Sequence, residues 1–276
     1  MNKLLSDKQV AAYGRDGFVH PVPVLTPAEV AEWRGELQTW EAARGAPIDF
    51  PEKSKFYLLF NWGDQLVHHP RVLDAVEDLI GPDILVYHST LFLKEAQTSA
   101  FVRWYQDSTY FYLEPHLHVT AWVALSDATV QAGCMRALPG SHRWGAFDHD
   151  DQPDPMNMIK RGQGISGRFD GETGTMMPVM AGEMSLHHTD LVHASSTNDS
   201  DDRRIGYAIS YIPAHIKPTG QIKPSALLVR GRDHGHFAPE HRLDAPLSQT
   251  ARRQHQEALA LFRARQDAGF NSPAKT

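Results

Sequence analysis

The chain has 276 residues, with 27 Lys and Arg against 33 Asp and Glu for a net charge of −6. That length suits one large domain with a sizeable core, and 41% hydrophobic with 22% charged residues is ordinary for a globular protein. The acidic balance leaves no basic footprint for nucleic acid, the single Cys134 excludes an internal disulfide framework, and no run of 18 apolar residues offers a membrane span. With no signal-peptide pattern at the N-terminus, the expected compartment is cytoplasmic.

Residues 6–16 read as a short helix with Ser6 at the N-cap. Phe18 to Val24 reads as a strand broken by Pro21 and Pro23. Thr26-Pro27-Ala28-Glu29 opens a second helix, with a capping Thr, a first-turn Pro and a Glu three residues after the cap. It ends near Arg44, before Gly45. Residues 46–65 read as irregular, with Asn61-Trp62-Gly63-Asp64 as a turn. Pro70 to Ile80 reads as a helix stopped by Gly81-Pro82.

Strands are expected at 84–94, 101–105, 116–126, 133–138, 175–180, 183–188 and 204–212. Many short strands between Gly/Pro turns predict a mainly β fold with flanking helices. In 204–212, Arg204, Gly206, Ala208 and Ser210 form a small-residue face, opposite Ile205, Tyr207, Ile209 and Tyr211. In 116–126, His116, His118, Thr120 and Trp122 share a face that suits a lumen containing a site, the alternative being a solvated face. Residues 148–174 are a long, polar, Gly-rich insertion, either a functional loop or an ordinary surface loop. Ser225 to Gly231 closes over the core. A final amphipathic helix near 247–268 either packs on the barrel or makes a homodimer, and the last eight residues fray.

Two stretches carry chemistry: Arg103-Trp104-Tyr105-Gln106-Asp107-Ser108-Thr109-Tyr110, and His187-His188-Thr189-Asp190-Leu191-Val192-His193-Ala194-Ser195-Ser196. Residues two apart on a strand share a face, so Tyr105 and Asp107 point the same way. Two His and one carboxylate on one face of a metal leave three positions open, the arrangement of Fe(II) oxygenases. Asp107 and His193 supply two of the three groups. His is expected at 105, and the sequence has Tyr. By residues alone, Asp107 also reads as a turn aspartate.

These motifs, with V-T-A-W-V-A-L-S-D (119–127), A-G-C-M-R-A-L-P-G-S-H-R (132–143) and N-M-I-K-R-G-Q (157–163), resemble the bacterial phytanoyl-CoA dioxygenase family from about Leu5 to Phe237. The resemblance implies a double-stranded β-helix, a cupin-like jelly roll, in one domain: a helical part at 1–82, a core at 83–213 and an extension at 214–276. It implies Fe(II), 2-oxoglutarate as cosubstrate and O2. The implied metal set is Asp107, His193 and position 105, with His187 and His188 structural or supporting. Arg204, eleven residues after His193, is implied to bind the distal carboxylate of 2-oxoglutarate with Ser195, a guanidinium fork fitting a carboxylate. A surface ion pair of Arg204 with Asp201 or Asp202 is the plainer alternative. Trp122 and His88 border the cosubstrate pocket. The insertion 148–174 becomes a lid, and Asn157, Arg161, Gln163 and Tyr110 are candidate substrate contacts.

Asp107 itself argues for hydroxylation over halogenation, because the family's halogenases have Ala or Gly there. The expected activity is hydroxylation of an unactivated C–H bond of a small polar metabolite. Lys160, Arg161 and Arg136 give a preference for an anionic one. The alternative is an inactive relative that only binds a small molecule. A phenol has a pKa of ~10 against ~6.5 for His, so Tyr105 is a poor ligand unless ionised. Three readings stay open: Tyr105 is an introduced substitution, a natural loss of activity, or a working ligand. A rescue by His116 or His118 needs a strand shift.

Overall fold

The computed structural model describes residues 2–151, 153–159, 163–165, 167, 169 and 173–270. The helices are α1 (Asp7–Asp16), α2 (Pro27–Arg44), α3 (Asn61–Val67), α4 (Pro70–Ile80) and α5 (Gln249–Phe270). The strands begin with β1 (Phe18–Pro23), β2 (Ile84–Lys94), β3 (Val102–Tyr105), β4 (Leu113–Glu114) and β5 (Val119–Ala124). They continue with β6 (Met135–Ala137), β7 (Asp150–Asp151), β8 (Gln163–Gly164), β9 (Thr175–Met177) and β10 (Glu183–His188). The last are β11 (His193–Ser195), β12 (Arg204–Pro213), β13 (Lys217–Pro218), β14 (Ser225–Arg230) and β15 (Ala238–Glu240).

The predicted helix signals are the ones used. Ser6 and Thr26 each make a full capping box, with Gln9 and Glu29. Gly17 and Gly45 end their helices in the left-handed conformation. Residues 46–65 differ from expectation. A 3-10 turn spans Phe56–Leu58, and Asn61-Trp62-Gly63-Asp64 is the first turn of α3 rather than a loop turn. Burial of Trp62, Leu66 and Val67 outweighs the turn-like local sequence. Gly63 lets the helix lie on Phe56, whose ring would stand 2.4 Å from an added Cβ. The prolines of β1 do not end that strand; the pairing with β10 shifts register between Val19 and Val22.

A seven-stranded sheet in the order β1-β10-β5-β12-β2-β14-β15 faces a four-stranded sheet in the order β3-β11-β6-β9. This is the jelly-roll arrangement, with the sheets not closed into a barrel. The large sheet draws strands from both sides of 83–213: β1 adds one edge, β14 and β15 the other. Its outer face carries Ile205, Tyr207, Ile209 and Tyr211, buried with Phe56, Trp62, Val72 and Val76 of the helical layer. The inner face, with Arg204, Ala208 and Ser210, lines a cavity between the sheets. The 116–126 segment forms a strand only from Val119, leaving Leu117 exposed and His116 paired with Asp190 outside the cavity. No helix among the described residues is long and apolar enough to cross a membrane.

The C-terminal part is fastened by a buried ion pair. Lys55 Nζ lies 2.5 Å from Glu240 Oε1 and donates to the Tyr87 carbonyl oxygen. Tyr57 and Ser225 hydroxyls also donate to Glu240, at 2.6 Å each. Removing one partner strands a buried charge. Glu240→Ala is therefore expected to cost about 3–5 kcal/mol in denaturant unfolding, whereas the paired change Lys55→Met with Glu240→Leu costs much less. Equal losses in both would contradict this account of the pair.

Candidate metal centre and cosubstrate pocket

Asp107 is aimed by a pinned turn. β3 ends at Tyr105, and Asp107 starts a short 3-10 turn. The buried Gln106 amide holds that turn, donating to the carbonyl oxygens of Gly145 (3.0 Å) and Asp190 (2.8 Å) and accepting from Phe147 N–H (2.9 Å). Thr120 Oγ1 donates to Asp107 Oδ2 at 2.7 Å. Burial works against the charged form of Asp107, but hydrogen bonding from His187, the electrostatic influence of the His193 and His187 rings and the Thr120 bond outweigh it and hold the carboxyl below its usual range.

His193 opens β11, directly across from Tyr105 in the β3 ladder. Its Nδ1 donates to the Leu191 carbonyl oxygen at 2.9 Å, which leaves Nε2 with a free lone pair, 3.9 Å from Asp107 Oδ1. Burial, then His187, lowers its pKa to about 4, so the ring is neutral and ready to ligate. His187 on β10 points into the same space, with Nε2 at 3.2 Å from Asp107 Oδ2. One donor atom from each of Asp107, His187 and His193 lies within 4.8 Å of the others, and all three residues are buried. This is the metal-competent group among the described residues.

Tyr105 stands beside that group. Its ring lies 4.2 Å from that of His193 and 6.2 Å from that of Tyr110. Burial, the charge of Asp107 and a hydrogen bond to it push the phenol well above its usual range. His118 is buried against Thr189, and neither it nor His116 lines the cavity. His187, expected only to support, is the imidazole that reaches the centre.

The cavity is ≈ 240 Å³, and Asp107, His193, Tyr105, Arg204, Ser195, Trp122, His88 and Tyr110 all line it. Among the described residues Arg204 makes no surface ion pair. Its guanidinium donates to the Gly133 carbonyl oxygen and lies 5.3 Å over the Trp122 ring, while Nε has no partner. Gly206 makes room for that ring: an added Cβ would stand 1.8 Å from it. Lys94, opposite Arg204 in the β2–β12 register, donates to Ser195 Oγ at 2.9 Å and to the Ser196 carbonyl oxygen. Among the described residues no carboxylate pairs with Arg204 or Lys94. Burial, then Arg204, lowers Lys94 to about 6. A buried guanidinium that lines the cavity with Ser195, beside an amine that burial holds mostly neutral, fits an anion.

Other expected contacts fall differently. Asn157 is buried, bridging Phe101, while its neighbours Met158 and Ile159 line the cavity. Gln163 pairs with Asp151 through its backbone, and Lys160 and Arg161 lie outside the described residues. Arg136 donates to Ser196 Oγ, away from the cavity lining. α5 packs on its own chain: Phe262 stacks on His88 with ring centroids 4.1 Å apart and closes one wall with Gln266. Lys94, His187 and Phe262 are the residues that the motifs missed. Alternation in 183–188 was the available signal for His187, since it shares a face with Ser185, and the two pair with Thr120 and Trp122 across the β10–β5 ladder.

A family model for phytanoyl-CoA dioxygenase (PhyH) matches residues 13–206. The probable alpha-ketoglutarate-dependent hypophosphite dioxygenase of Stutzerimonas stutzeri is 28% identical over 167 residues, 59% of this chain and 57% of that protein. The chain thus spans little over half the length of that relative. The L-proline trans-4-hydroxylase of Streptomyces griseoviridis is 25% identical over 79% of this chain and 90% of its own length. The solved non-heme monooxygenase ThoJ is 35% identical with a TM-score of 0.84, over 95% of this chain and 98% of that one. ThoJ has also been solved as a Ni complex, at 34% identity, a TM-score of 0.80 and 95% and 99% coverage. On the extent of the family match and the agreement in fold, the chain belongs to the phytanoyl-CoA dioxygenase family.

Proposed function

We propose that the chain is an Fe(II)- and 2-oxoglutarate-dependent dioxygenase that hydroxylates an unactivated C–H bond of a small molecule. The observation that carries this reading is one cavity holding both a buried carboxylate with two imidazoles and a buried guanidinium that, among the described residues, has no carboxylate partner. The first set suits a divalent metal and the second suits the distal carboxylate of 2-oxoglutarate. The relatives point the same way: one is named as alpha-ketoglutarate-dependent, one as a hydroxylase, and one has been solved with Ni.

Asp107 and His193 would hold the iron. Bound iron supplies the O2 chemistry, in which 2-oxoglutarate goes to succinate and CO2 as one oxygen atom enters the substrate. The chain's own residues do the placing. Arg204 grips the carboxylate, and the Trp122 ring under the guanidinium supports it. Ser195 accepts from Lys94, so its own O–H is free to donate to the same carboxylate. Leu91, Phe92, Val102, Phe111, Met158 and Ile159 give the cavity apolar walls, which exclude water and favour a substrate with an apolar body. An anionic substrate has less support, because Arg136 is bonded elsewhere.

Succinate formation that depends on both substrate and Fe(II) is the expected result, and a metal-loaded chain that makes none with any substrate would contradict the reading. Arg204→Gln is expected to weaken 2-oxoglutarate binding by about 2–4 kcal/mol, roughly 30- to 1000-fold, because it breaks a buried charged pair. Unchanged affinity would remove Arg204 from the pocket. Lys94 adds a pH dependence. Without cosubstrate it is mostly neutral above a pH of about 6. A bound carboxylate favours the ammonium form and raises that pKa, so binding draws in a proton. Affinity therefore falls as pH rises from about 6 towards the pKa in the complex. Titration calorimetry in buffers of different ionisation enthalpy should show proton uptake in the wild type and none in Lys94→Met; no uptake in either would contradict this.

A further inference from the structure

Position 105 faces His193 across the β3–β11 ladder, where a third ligand is expected, and it holds a phenol. We propose that His187 takes the place Tyr105 leaves open, so that Asp107, His187 and His193 hold the iron and Tyr105 stands beside the centre without binding it. The inference rests on the reading of the site as an iron centre and names the residue that completes it.

The geometry supports the exchange. Ligand bonds of about 2.1 Å at right angles place neighbouring donor atoms ~3 Å apart. His187 Nε2 stands 3.2 Å from Asp107 Oδ2, and His193 Nε2 stands 3.9 Å from Oδ1. The two imidazole rings have centroids 4.6 Å apart at 52°, both directed at one carboxylate. They enter from different sides: His187 from β10 of the large sheet, His193 from β11 of the small one. The turn over 189–192 joins them, and it is anchored by Ser108 N–H to the Thr189 carbonyl oxygen at 3.1 Å. The strand pairing fixes His187 in place, since it sits opposite Thr120, which bonds the same carboxylate. His187 and Ser185 share one face of β10, while Met184 and Leu186 on the other face fill the core. The Tyr105 ring is committed elsewhere, packed on His193 and Tyr110 with its hydroxyl bonded to Asp107.

The plainer alternative is that His187 only hydrogen-bonds Asp107. Metal binding separates the two without any turnover. Anaerobic equilibrium dialysis with Fe(II) should give one ion per chain in the wild type and in Tyr105→Phe. His187→Ala should lose more than roughly 100-fold in affinity, beyond the cost of a lost supporting bond. The double variant His187→Ala with Tyr105→His returns the imidazole to β3 and should regain most of the affinity, which also shows that His187→Ala had kept its fold. Pulsed EPR of Cu(II)-loaded wild type should show two coordinated imidazoles. A single imidazole, or affinity kept in His187→Ala and lost in Tyr105→Phe, would overturn the proposal while leaving the iron reading standing. Absence of metal binding by the wild type would overturn both.

Discussion

A carboxylate buried as deeply as Asp107 cannot stay ionised in an apolar interior without positive charge or hydrogen-bond donors around it, and the rest of the site follows from that requirement. Thr120 supplies one donor from β5. Imidazoles approach from β10 and β11, and Gln106 pins the turn that presents the carboxylate. Two facing sheets are needed because no single strand could bring these groups to one point. The jelly roll is therefore a means of converging side chains from β3, β5, β10 and β11 around a single charge.

The same cavity contains the opposite electrostatic problem. Arg204 and Lys94 are neighbours across β2 and β12, both buried, and neither has a carboxylate partner among the described residues. A protein core seldom keeps an unpaired guanidinium beside an amine forced towards neutrality unless an anion joins them. Two incomplete sites of opposite sign, lining one cavity, describe a place for a metal and a dicarboxylate together. Gly206 and Gly133 make the second site possible. One clears the space for Trp122, and the other, whose carbonyl Arg204 bonds, lets the backbone of Ser196 and Thr197 pass where a Cβ would stand.

Much of this was legible in the sequence. The cap at Ser6, the capping box at Thr26 and the small face of β12 rest on local rules that the structure follows, whereas His193, Ser195 and Arg204 were picked out by the family resemblance. α3 escaped because its first four residues look like a turn, and only the burial of Trp62 and Val67 decides otherwise. Lys94 escaped because it ends an apolar strand, where its partner is set by the β2–β12 register. His187 escaped for a related reason. The side that His187 and His188 each face depends on the β10–β5 pairing, and family spacing drew attention to His193 on β11 alone. Phe262 reaches the cavity from the last helix and stacks on His88 of β2, a placement that no local pattern encodes.

The central claim is that one cavity binds Fe(II) and 2-oxoglutarate together. Its most direct test is an anaerobic titration of the wild-type chain with Fe(II), then with 2-oxoglutarate, followed by visible absorption. Chelation of the keto acid to iron gives a weak visible charge-transfer band, and the account predicts that band at one equivalent of each, lost in Asp107→Ala and weakened in Arg204→Gln. An iron-loaded chain that takes up no 2-oxoglutarate, or one that binds no iron, would contradict it.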